Sequence, residues 1–253
     1  MTATDPLPQA AAKWAGKRYW LIGASDGLGA ALARHLSRAG VQLVLSARNE
    51  KALQTLAEDL PAKAEVQVLD VTDMDSITAA HDRVGAVDGV IYLAGAYWPM
   101  ETADWDAEKS AVMADVNLGG ALRCLGTIVP PMVARGHGHV VLTGSLTGFR
   151  GLPGSIGYTA SKAGVMSLAE CMKADLRGSG VQVQLANPGF IRTRLTAKND
   201  FKMPQIMEPD AAAQEVFELM CSTRFAKSFP APFAWLFRLS QFLPSGLYFR
   251  LFS

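Results

Sequence analysis

Apolar, strand-like runs recur near residues 18–22, 41–46, 65–69, 88–93, 139–144 and 181–186. Helical stretches near 27–39, 49–59, 73–84, 104–134, 156–177 and 210–222 alternate with them. This alternation leaves few folds open. Consecutive parallel strands need a crossover, the crossover is right-handed, and its helix covers one face of the sheet. The expectation is an α/β, doubly wound (Rossmann-type) and mostly parallel sheet with helices on both faces. Ligands of such sheets bind outside the carboxyl ends of the strands. At 253 residues, 49% of them apolar, the chain fits one domain of this kind. We expect a loose leader over 1–16, a single domain over 17–253, a substrate lid over 194–209 and an apolar, aromatic-rich extension over 225–253.

The net charge of +1 argues against a nucleic-acid surface. Cys124, Cys171 and Cys221 are scattered and form no metal or redox spacing, and the histidines form no ligand set, so no metal is expected. The first residues lack a basic start followed by an apolar core. A cytoplasmic, reducing compartment is the simple expectation.

The first strand runs into Gly23-Ala24-Ser25-Asp26-Gly27-Leu28-Gly29, and an apolar stretch of helical period follows through Leu32 and Leu36. Strand, glycine turn and helix in that order are the setting of a dinucleotide site. Glycines let the backbone approach a pyrophosphate, and the helix N-terminus offers N–H groups and a positive dipole end. Gly23, Ser25, Asp26, Gly27, Leu28 and Gly29 are therefore cofactor-binding candidates. A plain strand–helix turn would show the same glycines, so the turn needs corroboration.

Tyr158 and Lys162 supply it. They stand four apart, on one face of a predicted helix, and Ser145 precedes the tyrosine by thirteen residues. A positive charge beside a phenol favours the phenolate and lowers its pKa, as a general acid/base for carbonyl–alcohol interconversion requires. Taken together, Gly23/Gly27/Gly29, Asp70-Val71, Asn117, Ser145 with Tyr158 and Lys162, and Pro188-Gly189 with Thr193 resemble the short-chain dehydrogenase/reductase family of the compact, single-domain type. The resemblance covers roughly residues 17–195.

That resemblance implies strand order 3-2-1-4-5-6(-7). It implies hydride transfer between a nicotinamide and a lipophilic ketone or secondary alcohol, with Asn117, Ser145, Tyr158 and Lys162 as the catalytic set. Tyr158 would move the proton, Lys162 would lower its pKa and hold the nicotinamide ribose, and Ser145 would bond the substrate oxygen. Asn117 would position a water in the proton relay, which in mid-helix requires bonding away from the normal ladder. Asp70 and Val71 would frame the adenine, and Ala94-Gly95 would pass beneath the ribose. Pro188, Gly189, Ile191 and Thr193 would border the cofactor, with the Ile191 backbone and the Thr193 hydroxyl meeting the carboxamide. A catalytically silent NADP(H)-binding sensor or scaffold on the same fold is the alternative.

At the end of the second strand, Ser46-Ala47-Arg48 carries no carboxylate for ribose hydroxyls, while Ser46 and Arg48 can address a 2′-phosphate. NADP(H) is therefore expected over NAD(H), although Asp26 occupies the place where NADP-preferring relatives often carry a basic residue. The family's usual polar residues at the first and fourth strand ends are here Ile22 and Leu93, which suggests that these two pack together. Tyr97, Trp98, Phe149, Leu152, Phe190, Leu195 and Met203 are expected to make a greasy pocket wall. Residues 229–253 carry only Arg238 and Arg250 as charges. They are expected to cover the pocket or form a subunit contact. Peripheral contact with a membrane is the less favoured role, and no spanning helix is expected there. By resemblance, the helices near 104–134 and 156–177 would pair into a homodimer or homotetramer.

Overall fold

A computed structural model describes residues 13–252. Seven strands form one parallel sheet in the order 3-2-1-4-5-6-7. They are β1 Arg18–Ile22, β2 Gln42–Ser46, β3 Glu65–Val66, β4 Gly89–Tyr92, β5 Gly138–Thr143, β6 Val181–Pro188 and β7 Ala226–Phe229. The helices are α1 Gly27–Arg38, α2 Glu50–Asp59, α3 Met74–Val84, α4 Ala107–Ala114, α5 Gly120–Ala134, α6 Ile156–Asp175, α7 Pro209–Cys221, α8 Phe233–Ser240 and α9 Ser245–Phe252. A π-helical turn, Asp115–Gly119, joins α4 to α5. The expected third strand is shorter as a regular element. Its continuation still pairs, with Gln67 N donating to Leu45 O and Leu69 N to Ala47 O.

Side chains of β1 alternate between two cores, because successive residues of a strand point to opposite faces. Tyr19 and Leu21 pack with Leu32 and Leu36 of α1, Leu53 and Leu56 of α2, and Val216 and Phe217 of α7. Trp20 and Ile22 pack on the other face with Ile77 of α3, Cys124, Leu125 and Ile128 of α5, and Val165 and Met166 of α6. The length and apolarity of Ala107–Ala134 are those of a membrane span, but its inner side is built into this second core.

Residues 1–12 of the expected leader lie outside the described residues. The leader does not extend to 16 as expected, because Trp14 is only 2% exposed. Its indole packs edge-on to Tyr19, its ring centroid 5.5 Å away, and donates to Cys221 Sγ at 3.3 Å. Burying a side chain of that size is worth roughly 2–3 kcal/mol, enough to fix the chain before β1.

The expected contact between Ile22 and Leu93 does not form. Ile22 is in register with Tyr92 and belongs to the second core, so Leu93 points to the opposite face and packs against the first. What joins the two is main chain, Leu93 N donating to Ile22 O at 2.8 Å.

Candidate active site

The carboxyl ends of β1, β2, β4, β5 and β6 open into one cleft of about 880 Å³. Its first arm is the glycine turn. Gly23 has φ +96°, a conformation costly for any residue with a Cβ, and a Cβ there would lie 2.7 Å from Leu93 C. A Cβ at Gly29 would overlap the Gly23 carbonyl oxygen, so β1, β4 and α1 meet backbone to backbone. Gly27 has φ +52°, and a Cβ there would lie 2.7 Å from Thr193 Cγ2, which brings the first and last motifs together.

In α2, α3 and α4 the N-cap side chains of Asn49, Asp73 and Asp106 accept backbone N–H bonds. The α1 N-terminus has no side-chain cap bond and no acid in its first turn. Ser25, Asp26, Gly27, Leu28 and Gly29 all border the cleft. An uncapped helix start at a glycine turn fits the pyrophosphate of a dinucleotide. The Asp26 carboxylate at this entrance is paired with the Arg194 guanidinium. Sequence reasoning missed Arg194, which sits 168 positions from Asp26 and offers no local signal.

Farther along this arm lie Arg48, Asp70, Val71, Ala94 and Gly95. Burial alone would raise the Asp70 carboxyl. The Thr72 amide and hydroxyl, with the Arg48 charge, outweigh it and hold Asp70 below its ordinary value. Ser46 is a correction. It is fully buried, accepts from Trp20 Nε1 at 2.8 Å and donates to Gln67 O at 2.6 Å. Its hydroxyl is committed to the sheet and does not border the cleft, which leaves Arg48 as the basic residue there.

At the centre of the cleft stand Ser145, Tyr158 and Lys162, with Pro188, Gly189, Ile191 and Thr193 opposite. The extended end of β5 delivers Ser145, whose Oγ accepts from Thr147 N at 3.2 Å. The first turns of α6 deliver Tyr158 and Lys162. Lys162 is 5% exposed; its Nζ donates to Thr143 O at 2.9 Å and lies 5.8 Å from the Tyr158 ring centroid. Burial pushes this ammonium down to about 8, so it keeps most of its charge at neutral pH.

The phenol differs from expectation. Burial pushes Tyr158 up to about 12, with the Ser145 hydroxyl pulling the other way and the Tyr97 phenol adding to the rise. The Lys162 ammonium donates to the Thr143 carbonyl rather than to the phenol. Thr143 Oγ1, on the same cleft wall, is buried without a hydrogen-bond partner among the described residues, as expected of a surface built for a polar ligand.

Asn117 lies within the π-helical turn, the departure from the normal ladder that its expected role demands. Its side chain is fully buried and does not border the cleft. Oδ1 accepts from Ala96 N at 2.7 Å, while Nδ2 donates to Ala96 O at 3.0 Å and to Ser161 Oγ at 2.9 Å. The amide therefore locks the loop after β4 to α6, the helix that carries Tyr158.

The second arm is apolar. Of the expected wall, Tyr97, Leu152, Phe190 and Leu195 border it. Tyr97 packs edge-on to Tyr158 with ring centroids 4.9 Å apart. Trp98, Phe149 and Met203 do not border it. Trp98 lies under the Lys198 ammonium at 4.1 Å, Phe149 is turned into the small core beneath α8, and Met203 Sδ accepts from Asn199 Nδ2. The expected lid crosses this arm with Lys198, Asn199 and Phe201. It is tied to the segment just after β6 by Arg192 N to Met207 O and Met207 N to Phe190 O, each 2.9 Å.

The wall is completed by Phe233, Phe237 and Phe252 of the C-terminal segment, so the tail does cover the pocket. Arg150 fastens it, donating to Ser240 O at 2.6 Å and Leu243 O at 2.8 Å and lying 3.9 Å from the Tyr248 ring centroid. The aromatic composition signalled this covering, but not which rings face inward.

Comparison with known proteins agrees with this geometry. The profile of the short chain dehydrogenase family matches residues 17–203. An uncharacterized oxidoreductase of Myxococcus xanthus is 36% identical over 235 residues, 90% of this chain and 93% of that protein. The 3-oxoacyl-[acyl-carrier-protein] reductase FabG of Thermotoga maritima is 33% identical over 195 residues, covering 72% of this chain and 77% of the relative. The solved structure of a short-chain dehydrogenase from Sphingobium yanoikuyae in complex with NADPH superposes with a TM-score of 0.79 at 26% identity, covering 85% of this chain and 89% of that one. With the sheet order, the glycine turn and the Ser145–Tyr158–Lys162 cluster in place, the chain belongs to the short-chain dehydrogenase/reductase family and is an oxidoreductase acting on CH–OH or C=O groups.

Proposed function

We propose that this protein is an NADP(H)-dependent oxidoreductase interconverting lipophilic ketones and secondary alcohols, with Tyr158 as general acid/base. One observation carries the reading: the Tyr158 phenol, with the Ser145 hydroxyl beside it, stands where a glycine-lined arm and a phenylalanine-lined arm of one cleft meet. Bound nicotinamide would supply or accept the hydride.

The chain's own residues do the rest. Ser145 Oγ donates to the substrate oxygen, a bond that strengthens as negative charge develops there. Tyr158 gives its proton to that oxygen in reduction. A phenol held at about 12 is fully protonated at neutral pH and therefore ready as the acid. The Lys162 ammonium, fixed by Thr143 O, favours the phenolate left behind. Arg48 meets a 2′-phosphate with a planar fork of donors, and no acid at the end of β2 competes with it. The Phe190, Phe201, Phe233 and Phe237 wall excludes water from the reacting oxygen and favours an apolar substituent on the ketone. Val112, Leu122 and Val133 are large, apolar and exposed on α4 and α5, which supports a homo-oligomer through those helices.

The test is Tyr158→Phe. NADPH oxidation across a panel of aliphatic, aromatic and steroid ketones should fall to background, while NADPH binding, followed by fluorescence, stays within about twofold. Retained turnover would reject the role of Tyr158. Absence of turnover in both proteins, with binding intact, would favour the silent sensor.

A further inference from the structure

Helix α8 docks by one face only, with Ala234, Phe237 and Ser240 buried, and α9 docks through Tyr248. The outward faces are not polar, as a solvated helix requires. Half of the large apolar side chains exposed on the described residues belong to this segment. Trp235, Leu239 and Phe249 are each more than half exposed, and Phe242 in the intervening turn is 83% exposed. An apolar patch this dense marks an interaction site.

Charge selects the occupant. Between 229 and 253 there is no acid, and Arg238 and Arg250 are the only charges. The Arg238 guanidinium lies 5.4 Å from the Trp235 ring centroid. Arginine and tryptophan beside leucine and phenylalanine suit the boundary between lipid headgroups and acyl chains. A second copy of the chain has its expected contact elsewhere, on α4, α5 and α6.

We propose that α8 and α9 form a peripheral docking surface for an anionic lipid bilayer. The inner faces of the same helices place Phe233, Phe237 and Phe252 in the apolar arm of the cleft. The arm therefore opens beside the docked bilayer, and a lipophilic ketone enters from lipid rather than from water. This entry route rests on the proposed reductase reading; the docking itself does not.

Flotation of the full chain tests it, with vesicles of mixed phosphatidylcholine and phosphatidylglycerol and with phosphatidylcholine alone. The chain should float with the mixed vesicles. The Trp235→Ser/Phe249→Ser variant should lose at least about tenfold of that binding, since affinity scales with the apolar area buried. Arg238→Gln and Arg250→Gln should each cost about fivefold on anionic vesicles and little on neutral ones. Both sets change exposed side chains, so far-UV circular dichroism and the urea midpoint should stay at wild-type values. A wild-type chain that stays at the bottom with both vesicles overturns the proposal. So does a chain that does not float but forms an oligomer that Trp235→Ser/Phe249→Ser dissociates, which assigns the surface to a second copy. Flotation needs no turnover, so its failure leaves the Tyr158 reading standing.

Discussion

Replacing Lys162 with methionine should make the protein more stable and inactive. Burial holds the ammonium at about 8 against an ordinary 10.5. That difference corresponds to about 3 kcal/mol of unfavourable free energy for keeping the buried group charged at neutral pH. Methionine keeps the length of the stem and removes the charge. The change also loses the bond to Thr143 O, at a cost of roughly 1.5–3 kcal/mol. The net gain at pH 7 is up to about 1.5 kcal/mol, or up to about 6 °C in Tm for a chain of this size.

The same shift gives a pH signature. Between about 8 and 10.5 the unfolded lysine binds more protons than the folded one, so wild-type stability rises with pH there. Below that window the penalty is present in full. Above it, both states are neutral and the penalty is gone. Phenols raised by burial, Tyr158 among them, bind more protons when folded and so oppose the rise from pH 10 upward. Urea unfolding from pH 7 to 9.5 should show the wild-type protein gaining on the variant, with the two converging toward the alkaline end. A variant less stable than wild type at pH 7, or two parallel pH profiles, would refute a strained Lys162.

Other substitutions probe separate parts of the site. Arg48→Ala should weaken NADPH binding about tenfold or more and leave NADH nearly unchanged, as fluorescence titration with both nucleotides would show. Equal losses for both would remove Arg48 from phosphate recognition. Gly29→Ala should cost more than about 3 kcal/mol or abolish soluble expression, because its Cβ would overlap the Gly23 carbonyl; a urea midpoint near wild type would show that the turn can yield. Arg150→Gln should loosen the C-terminal segment, since two charge-assisted bonds are worth roughly 1.5–3 kcal/mol each. Chymotrypsin should then cut within 229–253 several times faster, and an unchanged rate would mean that Phe237 and Tyr248 alone hold it.

Much of the site is legible in the sequence because its parts are local patterns. The glycine turn, the four-residue step from Tyr158 to Lys162 and the Pro188-Gly189 turn each report a backbone geometry that neighbouring residues impose. The helices likewise follow from apolar spacing, as in Leu28, Leu32 and Leu36. The role of Ser46 is not legible in the sequence because its partners lie elsewhere in the sheet: Trp20 Nε1 donates to its hydroxyl, which in turn donates to Gln67 O. The supposed Ile22–Leu93 contact failed on register: pairing Ile22 with Tyr92 sends Leu93 to the other face.

By itself the sequence determined the alternation of strands and helices, and with it a parallel sheet whose ligands lie at its carboxyl edge. It also determined which residue types carry the chemistry, since a phenol, an ammonium and a serine are chosen before any fold exists. Tertiary structure alone decided how those groups are tuned and what surrounds them. Burial raised the Tyr158 phenol, aimed Lys162 at a main-chain carbonyl, brought Arg194 to Asp26 and folded the C-terminal rings over the cleft. Desolvation and contact across long stretches of chain are properties of packed neighbours, and a linear pattern does not say which neighbours those are.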